Sequence, residues 1–163
     1  MISHEQQEVI MLLTEQMKGR KLVWALTGSA SFVLQGMSVP VHDIDIQTDD
    51  KSAYAVAGLL REFIVKPVCF STSAAIRSHF GELNIHGVKV EIMGAVQKRL
   101  PDGGWEEPVD VSAMLKKVLY MGVEIPALPL EYECEAYRKL GRIEKADSIR
   151  RFLELKQQCS KQR

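Results

Sequence analysis

Two short stretches hold the residues whose types and spacing suit chemistry: Leu26-Thr-Gly-Ser-Ala-Ser-Phe-Val-Leu-Gln-Gly36, and Val41-His-Asp-Ile-Asp-Ile46. On a strand, side chains alternate between faces, so Asp43 and Asp45 point one way while Ile44 and Ile46 point into a core. Residues two apart on a strand sit roughly 6–7 Å apart at Cα, close enough for both carboxylates to converge on one or two hard cations. Such a pair repels itself unless a cation is shared. Mg²⁺ suits it, because that ion is typically held by one or two carboxylates together with substrate phosphates. Gly28-Ser29 lies where a strand turns into a helix; glycine permits close backbone approach, and free N–H groups at a helix start attract anions. Phosphate at this turn and metal on the neighbouring strand would be the two halves of a nucleoside triphosphate site.

Two-metal phosphoryl chemistry also requires bridging ligands and a base, so a third acid is expected. In Val88-Lys-Val-Glu-Ile-Met93, Val88, Val90 and Ile92 alternate with Lys89, Glu91 and Met93, which turns Glu91 away from the apolar side. Lys139, Arg142 and Lys145 either face the triphosphate or form a solvated basic face; sharing one helical face requires the helix to run through Gly141. His42 alternates opposite Asp43 and is expected to be structural or exposed. His79 and His86 lack ligand spacing. Trp24 reads as core, whereas Trp105 either stacks on a base or packs.

The elements that must position these groups follow from periodicity. Val9, Ile10, Leu13 and Met17 mark an amphipathic helix over 3–18. A short strand over 22–26, a helix over 30–35 closed by Gly36, and a strand over 41–48 come next. A helix spans 51–63, and a short strand lies at 68–71. Glu82–Ile85 and Val88–Met93 flank the hairpin turn His86-Gly87. Strands over 116–120 and 123–127 precede helices at 130–140 and from 142 to about 156. This order predicts an α/β (α+β) fold, a mixed β-sheet flanked by helices with further helices at the C-terminus.

The pattern of Gly28-Ser29, a short helix ending in glycine, Asp43-x-Asp45, and the later acid Glu91 between apolar residues resembles the DNA polymerase beta nucleotidyltransferase superfamily. The runs Ile125-Pro-Ala-Leu-Pro-Leu-Glu-Tyr-Glu and Tyr137-Arg-Lys-Leu-Gly-Arg142 are similar to a small bacterial nucleotidyltransferase-like family. That family is related to the aminoglycoside and lincosamide nucleotidyltransferases and to AbiEii-type proteins. The resemblance covers about Leu22 to Leu155. It implies a nucleotidyltransferase fold and transfer of NMP from an NTP to a hydroxyl acceptor, with release of pyrophosphate. Asp43, Asp45 and Glu91 would be the catalytic and metal-binding residues, for two Mg²⁺ ions or for Mn²⁺. Gly28, Ser29, Lys139 and Arg142 would bind the nucleotide. Glu replaces the Asp that many relatives carry at the third position.

Length and composition set the frame. The chain's 163 residues are expected to form one nucleotidyltransferase-like domain (1–163), with a core over about 22–128 and a helical segment over about 129–158. Lys+Arg and Asp+Glu both number 21, unlike a dedicated nucleic-acid binder, so a small-molecule hydroxyl acceptor is preferred to tRNA or protein. Residues 138–163 nevertheless carry nine basic against three acidic side chains, a segment on which a toxin-like enzyme acting on tRNA or protein would draw. A catalytically degenerate nucleotide-binding or regulatory module, or a purely structural subunit, are the other readings. The chain ends soon after the catalytic elements, so a homodimer could supply the missing wall of the cleft. Three isolated cysteines and the absence of a signal or membrane segment point to the cytoplasm.

Overall fold

Ser3 opens the first helix through a reciprocal cap. Its hydroxyl accepts the Gln6 N–H at 3.2 Å, and the Gln6 side chain accepts the Ser3 N–H at 2.9 Å. In the computed structural model, which describes residues 1–163, α1 spans His4–Met17 and buries Val9, Ile10, Leu13 and Met17. β1 (Trp24–Thr27), α2 (Gly28–Leu34), β2 (Ile44–Thr48), α3 (Asp50–Leu59), β3 (Ile64–Thr72), β4 (Ile76–Ile85) and β5 (Val88–Lys98) follow. The short α4 (Val111–Met114), β6 (Lys116–Tyr120), β7 (Val123–Ala127), α5 (Leu130–Lys139) and α6 (Ile143–Lys161) complete the chain.

The strands make one sheet in the order β3-β4-β5-β2-β1-β7-β6. The β2–β5 and β1–β7 pairs are parallel and the others antiparallel, giving the mixed sheet that the sequence predicts. Trp24, Leu26, Ile44, Ile46, Val90 and Ile92 bury their side chains in one cluster with α1 and α3. On the other face α2, α5 and α6 meet around Phe32, Leu130, Cys134 and Ile149.

Where the elements differ from expectation, local chemistry explains it. β2 begins at Ile44 rather than Val41, leaving Asp43 in a bend just before the strand. Pro40 has no N–H to offer a ladder, and the Val41 carbonyl is taken by the Gln6 amide at 2.9 Å. The helix expected to reach residue 63 ends at Leu59, just after Gly58, and a 3₁₀ turn at Arg61–Phe63 follows. β3 is nine residues long, not four; it is an edge strand, where Pro67 is tolerated, and its pairing with β4 shifts register twice around that residue.

One irregularity aims side chains at the site. Between Arg77–Gln97 and His79–Gly94 the β4–β5 register gains a residue on β5, with Ala95 in the left-handed region at φ 52°. Before this bulge, even-numbered residues of β5 face α1 and α3, and Glu91 and Met93 face the other side. After it the phase reverses, and Val96 and Lys98 join Glu91 and Met93 on the wall of one cavity.

Candidate active site

Three adjacent strands bring the acids together. Asp45 lies opposite Thr27 in the β1–β2 pair and opposite Glu91 in the β2–β5 pair, so the end of β1, Asp45 and Glu91 share one face. Ile44, Ile46, Val90 and Ile92, all fully buried on the far face, hold that phase against a one-residue slip. Asp43 reaches the same point from the bend before β2. One carboxylate oxygen from each of Asp43, Asp45 and Glu91 lies within 4.8 Å of the others, and all three residues are half-buried.

Gly28 makes this possible. Its φ is +70°, and a Cβ there would stand 2.6 Å from Asp45 Oδ2, so only glycine lets the chain turn this close to the carboxylate. The close approach expected of Gly28 is thus to Asp45 itself. Its N–H is also engaged, donating to Glu133 Oε1 at 3.1 Å.

The electrostatics are those of a crowded anionic cluster. Burial, and then the neighbouring Asp43 and Glu91, push the Asp45 carboxyl up to about 8. Its Oδ1 is buried without a hydrogen-bond partner. A buried acceptor left unpaired among like charges fits a hard divalent cation, which would supply the missing partner and offset the repulsion. In this structure the compensating charge is Lys89, whose Nζ lies 2.5 Å from Glu91 Oε1 and 3.9 Å from Asp43 Oδ2. The hydrogen bond and charge of Glu91 raise the Lys89 ammonium above its usual range.

Helices α5 and α6 cover the cluster. Glu133, nearly fully buried, accepts hydrogen bonds from the Thr27 hydroxyl and the Gly28 N–H. Burial nonetheless pushes its carboxyl up to about 7. One turn further, Tyr137 stands edge-on to Phe32, with Lys145 Nζ 4.7 Å and the Arg142 guanidinium 6.0 Å from its ring centre. Burial, then Glu133 and Asp45, raise the Tyr137 phenol far above its usual range.

Two cavities meet at the acids. One, of about 500 Å³, is walled by α2, the loop before β2, and α6, and includes Ser29, His42, Asp43 and Lys145. The other, of about 460 Å³, is walled by β5, the β3–β4 turn and α5, and includes Ser73, Met93, Lys98, Tyr132 and Glu133. Gly28, Asp45, Glu91, Tyr137 and Arg142 line both.

Of the residues singled out from sequence, Gly28, Ser29, Asp43, Asp45, Glu91 and Arg142 therefore gather at one cleft. Lys139 does not line either cavity; its Nζ lies 3.4 Å from Glu106 Oε2. Lys145, four residues beyond Gly141, enters the cleft because α6 restarts after that break. His42 is exposed on the cleft wall. Trp105 is held between the guanidinium groups of Arg77 and Arg99, 4.6 and 4.2 Å from its ring centre, and Trp24 is core. Glu133 and Tyr137 escaped sequence reasoning. Their signal was an acid and a phenol four residues apart on the stripe that also carries buried Leu130, Cys134 and Ala136.

A seven-stranded mixed sheet that sets three carboxylates beside a Gly-Ser turn defines the class as the nucleotidyltransferase fold. Residues 9–151 match the profile of the aminoglycoside-2''-adenylyltransferase family, and the chain belongs to that family of nucleotidyltransferase enzymes. A Thermotoga maritima protein, TM1012, provisionally assigned as a nucleotidyltransferase, is 51% identical over 94% of this chain and 96% of its own, with a TM-score of 0.84. The lincosamide antibiotic adenylyltransferase LnuA, solved with lincomycin, shares the fold at 20% identity over 91% of this chain and 98% of its own, with a TM-score of 0.57. ANT(2'')-Ia, solved with adenylyl-2''-tobramycin, shares it at 12% identity over 91% of this chain and 89% of its own, with a TM-score of 0.60. Among curated proteins no sequence relative matches. No helix is long and apolar enough to cross a membrane.

Proposed function

We propose that this chain, read as one domain over residues 1–163, transfers a nucleoside monophosphate from an NTP to the hydroxyl of a small molecule, in a reaction that needs a divalent cation such as Mg²⁺. One observation carries the reading: three carboxylates converge, one with a buried, unpartnered oxygen, where two molecule-sized cavities meet. Asp43, Asp45 and Glu91 would hold the metal, which when bound polarises the phosphate and neutralises its charge. Lys145, Arg142 and Ser29 suit the cavity they line to the triphosphate, as cations and a donor beside the departing pyrophosphate. The second cavity is left for the acceptor. Its hydroxyl oxygen would bond to the α-phosphorus as the bond to the pyrophosphate oxygen breaks, and the hydroxyl proton would pass to the Glu91 carboxylate. Closure by α5 and α6 would hold both reactants and limit water, so that catalysis is mainly positioning and charge neutralisation. Both cavities lie within the size range of small-ligand sites, which favours a small acceptor over tRNA or protein.

Thermal melting with each NTP, with and without Mg²⁺, tests the reading on wild type and Asp43→Asn. A nucleotide at about a hundred times its dissociation constant should stabilise the fold by roughly 2.7 kcal/mol. A Mg²⁺-dependent shift that Asp43→Asn loses is the expected result. A shift indifferent to metal and variant alike would refute metal-assisted nucleotide binding here.

A further inference from the structure

We propose that Lys89 is a resident counter-ion of the acidic cluster, which a divalent cation must displace and which thereby sets how tightly the chain holds metal. The inference rests on the metal reading made above. Lys89 stands two residues before Glu91 on β5, so strand alternation puts it on the same face, beside the acids. Its ammonium is 2.5 Å from Glu91 and 3.9 Å from Asp43, two of the three convergent carboxylates. No other basic side chain lies within ion-pair distance of the three. Arg142 and Lys145 line the cleft without pairing to them.

A fourth acid completes the device. Glu82 sits directly across the β4–β5 pair from Glu91, outside the convergent group, and its Oε2 is also 3.9 Å from Lys89 Nζ. Lys89 is thus shared between the cluster and a carboxylate just outside it. Its side chain is 44% exposed and on a flexible stem, so it can swing to Glu82 without disturbing the core. An ammonium and a metal ion cannot occupy the same oxygens, and two cations this close repel. Metal entry therefore drives Lys89 onto Glu82, while in the metal-free protein Lys89 relieves the repulsion among Asp43, Asp45 and Glu91.

Mn²⁺ binding to the nucleotide-free protein, followed by loss of the free-ion electron paramagnetic resonance signal, tests this directly. Lys89→Met should bind Mn²⁺ about tenfold more tightly than wild type, as expected for removing one competing charge in a half-exposed site. Lys89→Arg, which keeps the charge, should stay nearer wild type. Glu82→Gln, which removes the alternative partner, should weaken binding several-fold. The tightening should vanish when Asp45→Asn is added. Equal or weaker Mn²⁺ binding by Lys89→Met, with wild type binding normally, would overturn the counter-ion role and leave the metal reading standing. No Mn²⁺ binding by either protein would overturn the metal reading and this role together. Melting in a chelator gives a second measurement: Lys89→Met should be less stable than wild type there, and should gain more on adding Mn²⁺.

Discussion

The two cavities share a wall of five residues and differ in nearly everything else. The one beneath α2 and α6 presents a lysine, a histidine and two serines around Asp43. The one beneath α5 presents Glu133, Tyr132 and a lysine, Lys98, whose charge is already committed to Glu106 at 3.0 Å. Beyond the shared wall, the first cavity offers a cation outside any ion pair, Lys145, and the second offers none. The contrast arises from chain order: the cationic wall comes from α6, within the basic C-terminal segment, and the acidic wall from α5, just before it. A transfer reaction needs this inequality, because one reactant carries the phosphates and the other should not compete for their place.

If the wall is shared, its residues must serve both cavities, and the largest effect should come from Asp45→Asn. Turnover should fall about 10³-fold, the several kcal/mol of charge stabilisation expected of a metal ligand. The metal-free variant should melt higher than wild type above neutral pH, since a buried negative charge beside Asp43 and Glu91 is gone. Steady-state rates and melting curves in a chelator check both parts. Retained turnover would remove the shared centre from the comparison.

Gly28→Ala comes next. The left-handed φ and a Cβ 2.6 Å from Asp45 Oδ2 should together cost about 2–4 kcal/mol of stability. Asp45 would also be forced aside, so chemical denaturation and Mn²⁺ binding should both report the change. A variant as stable as wild type would mean that Asp45 yields easily and that the close approach is incidental.

These two positions belong to the part of the site that sequence could express. Asp45 and Glu91 gather through strand alternation on neighbouring strands, with Gly28 and Asp43 at the strand ends beside them, and alternation is local: Asp45 sits between buried Ile44 and Ile46, and Glu91 between buried Val90 and Ile92. The same logic drew the hairpin at His86-Gly87 and the strands at 116–120 and 123–127. It stops at Ala95. The bulge reverses the phase of β5, and alternation carried past Met93 would send Val96 and Lys98 to the wrong face. Glu133 was hidden for another reason. Its partners Thr27 and Gly28 are over a hundred residues away, and nothing local distinguishes a buried carboxyl from a solvated one on an acidic helix. Lys89 was visible on the right face, but its charge takes meaning only from Glu82, contributed by another strand.

Glu133→Gln probes the acidic cavity alone, and pH is the sharper readout. The folded protein keeps the Glu133 proton up to about 7, whereas the unfolded chain releases it near the ordinary glutamate value. Between those limits the folded state binds more protons, so this group's contribution to stability falls as pH rises and stays low above 7. Denaturation measured from pH 4.5 to 7.5 should show wild type losing roughly 2–3 kcal/mol that Glu133→Gln does not lose. Asp45, whose carboxyl is raised to about 8, shares the sign and should leave a residual slope in the variant from the ordinary aspartate range up to about pH 8. Parallel curves for the two proteins would mean that Glu133 is already ionised and that the second cavity carries its full negative charge.

The smallest effect should separate the cavities most cleanly. Lys145 is exposed and stacked on Tyr137, so its removal should cost little stability and remove one charge from a phosphate. Lys145→Met should weaken NTP binding about five- to tenfold, and Glu133→Gln should leave it nearly unchanged. Titration of each variant with a non-hydrolysable NTP analogue and Mg²⁺ decides the matter. If the nucleotide's affinity instead follows Glu133, the triphosphate belongs beneath α5 and the two cavities exchange roles. In that case Arg142, which lines both, would be the cation left to face the phosphates, and Arg142→Met would show the loss assigned here to Lys145.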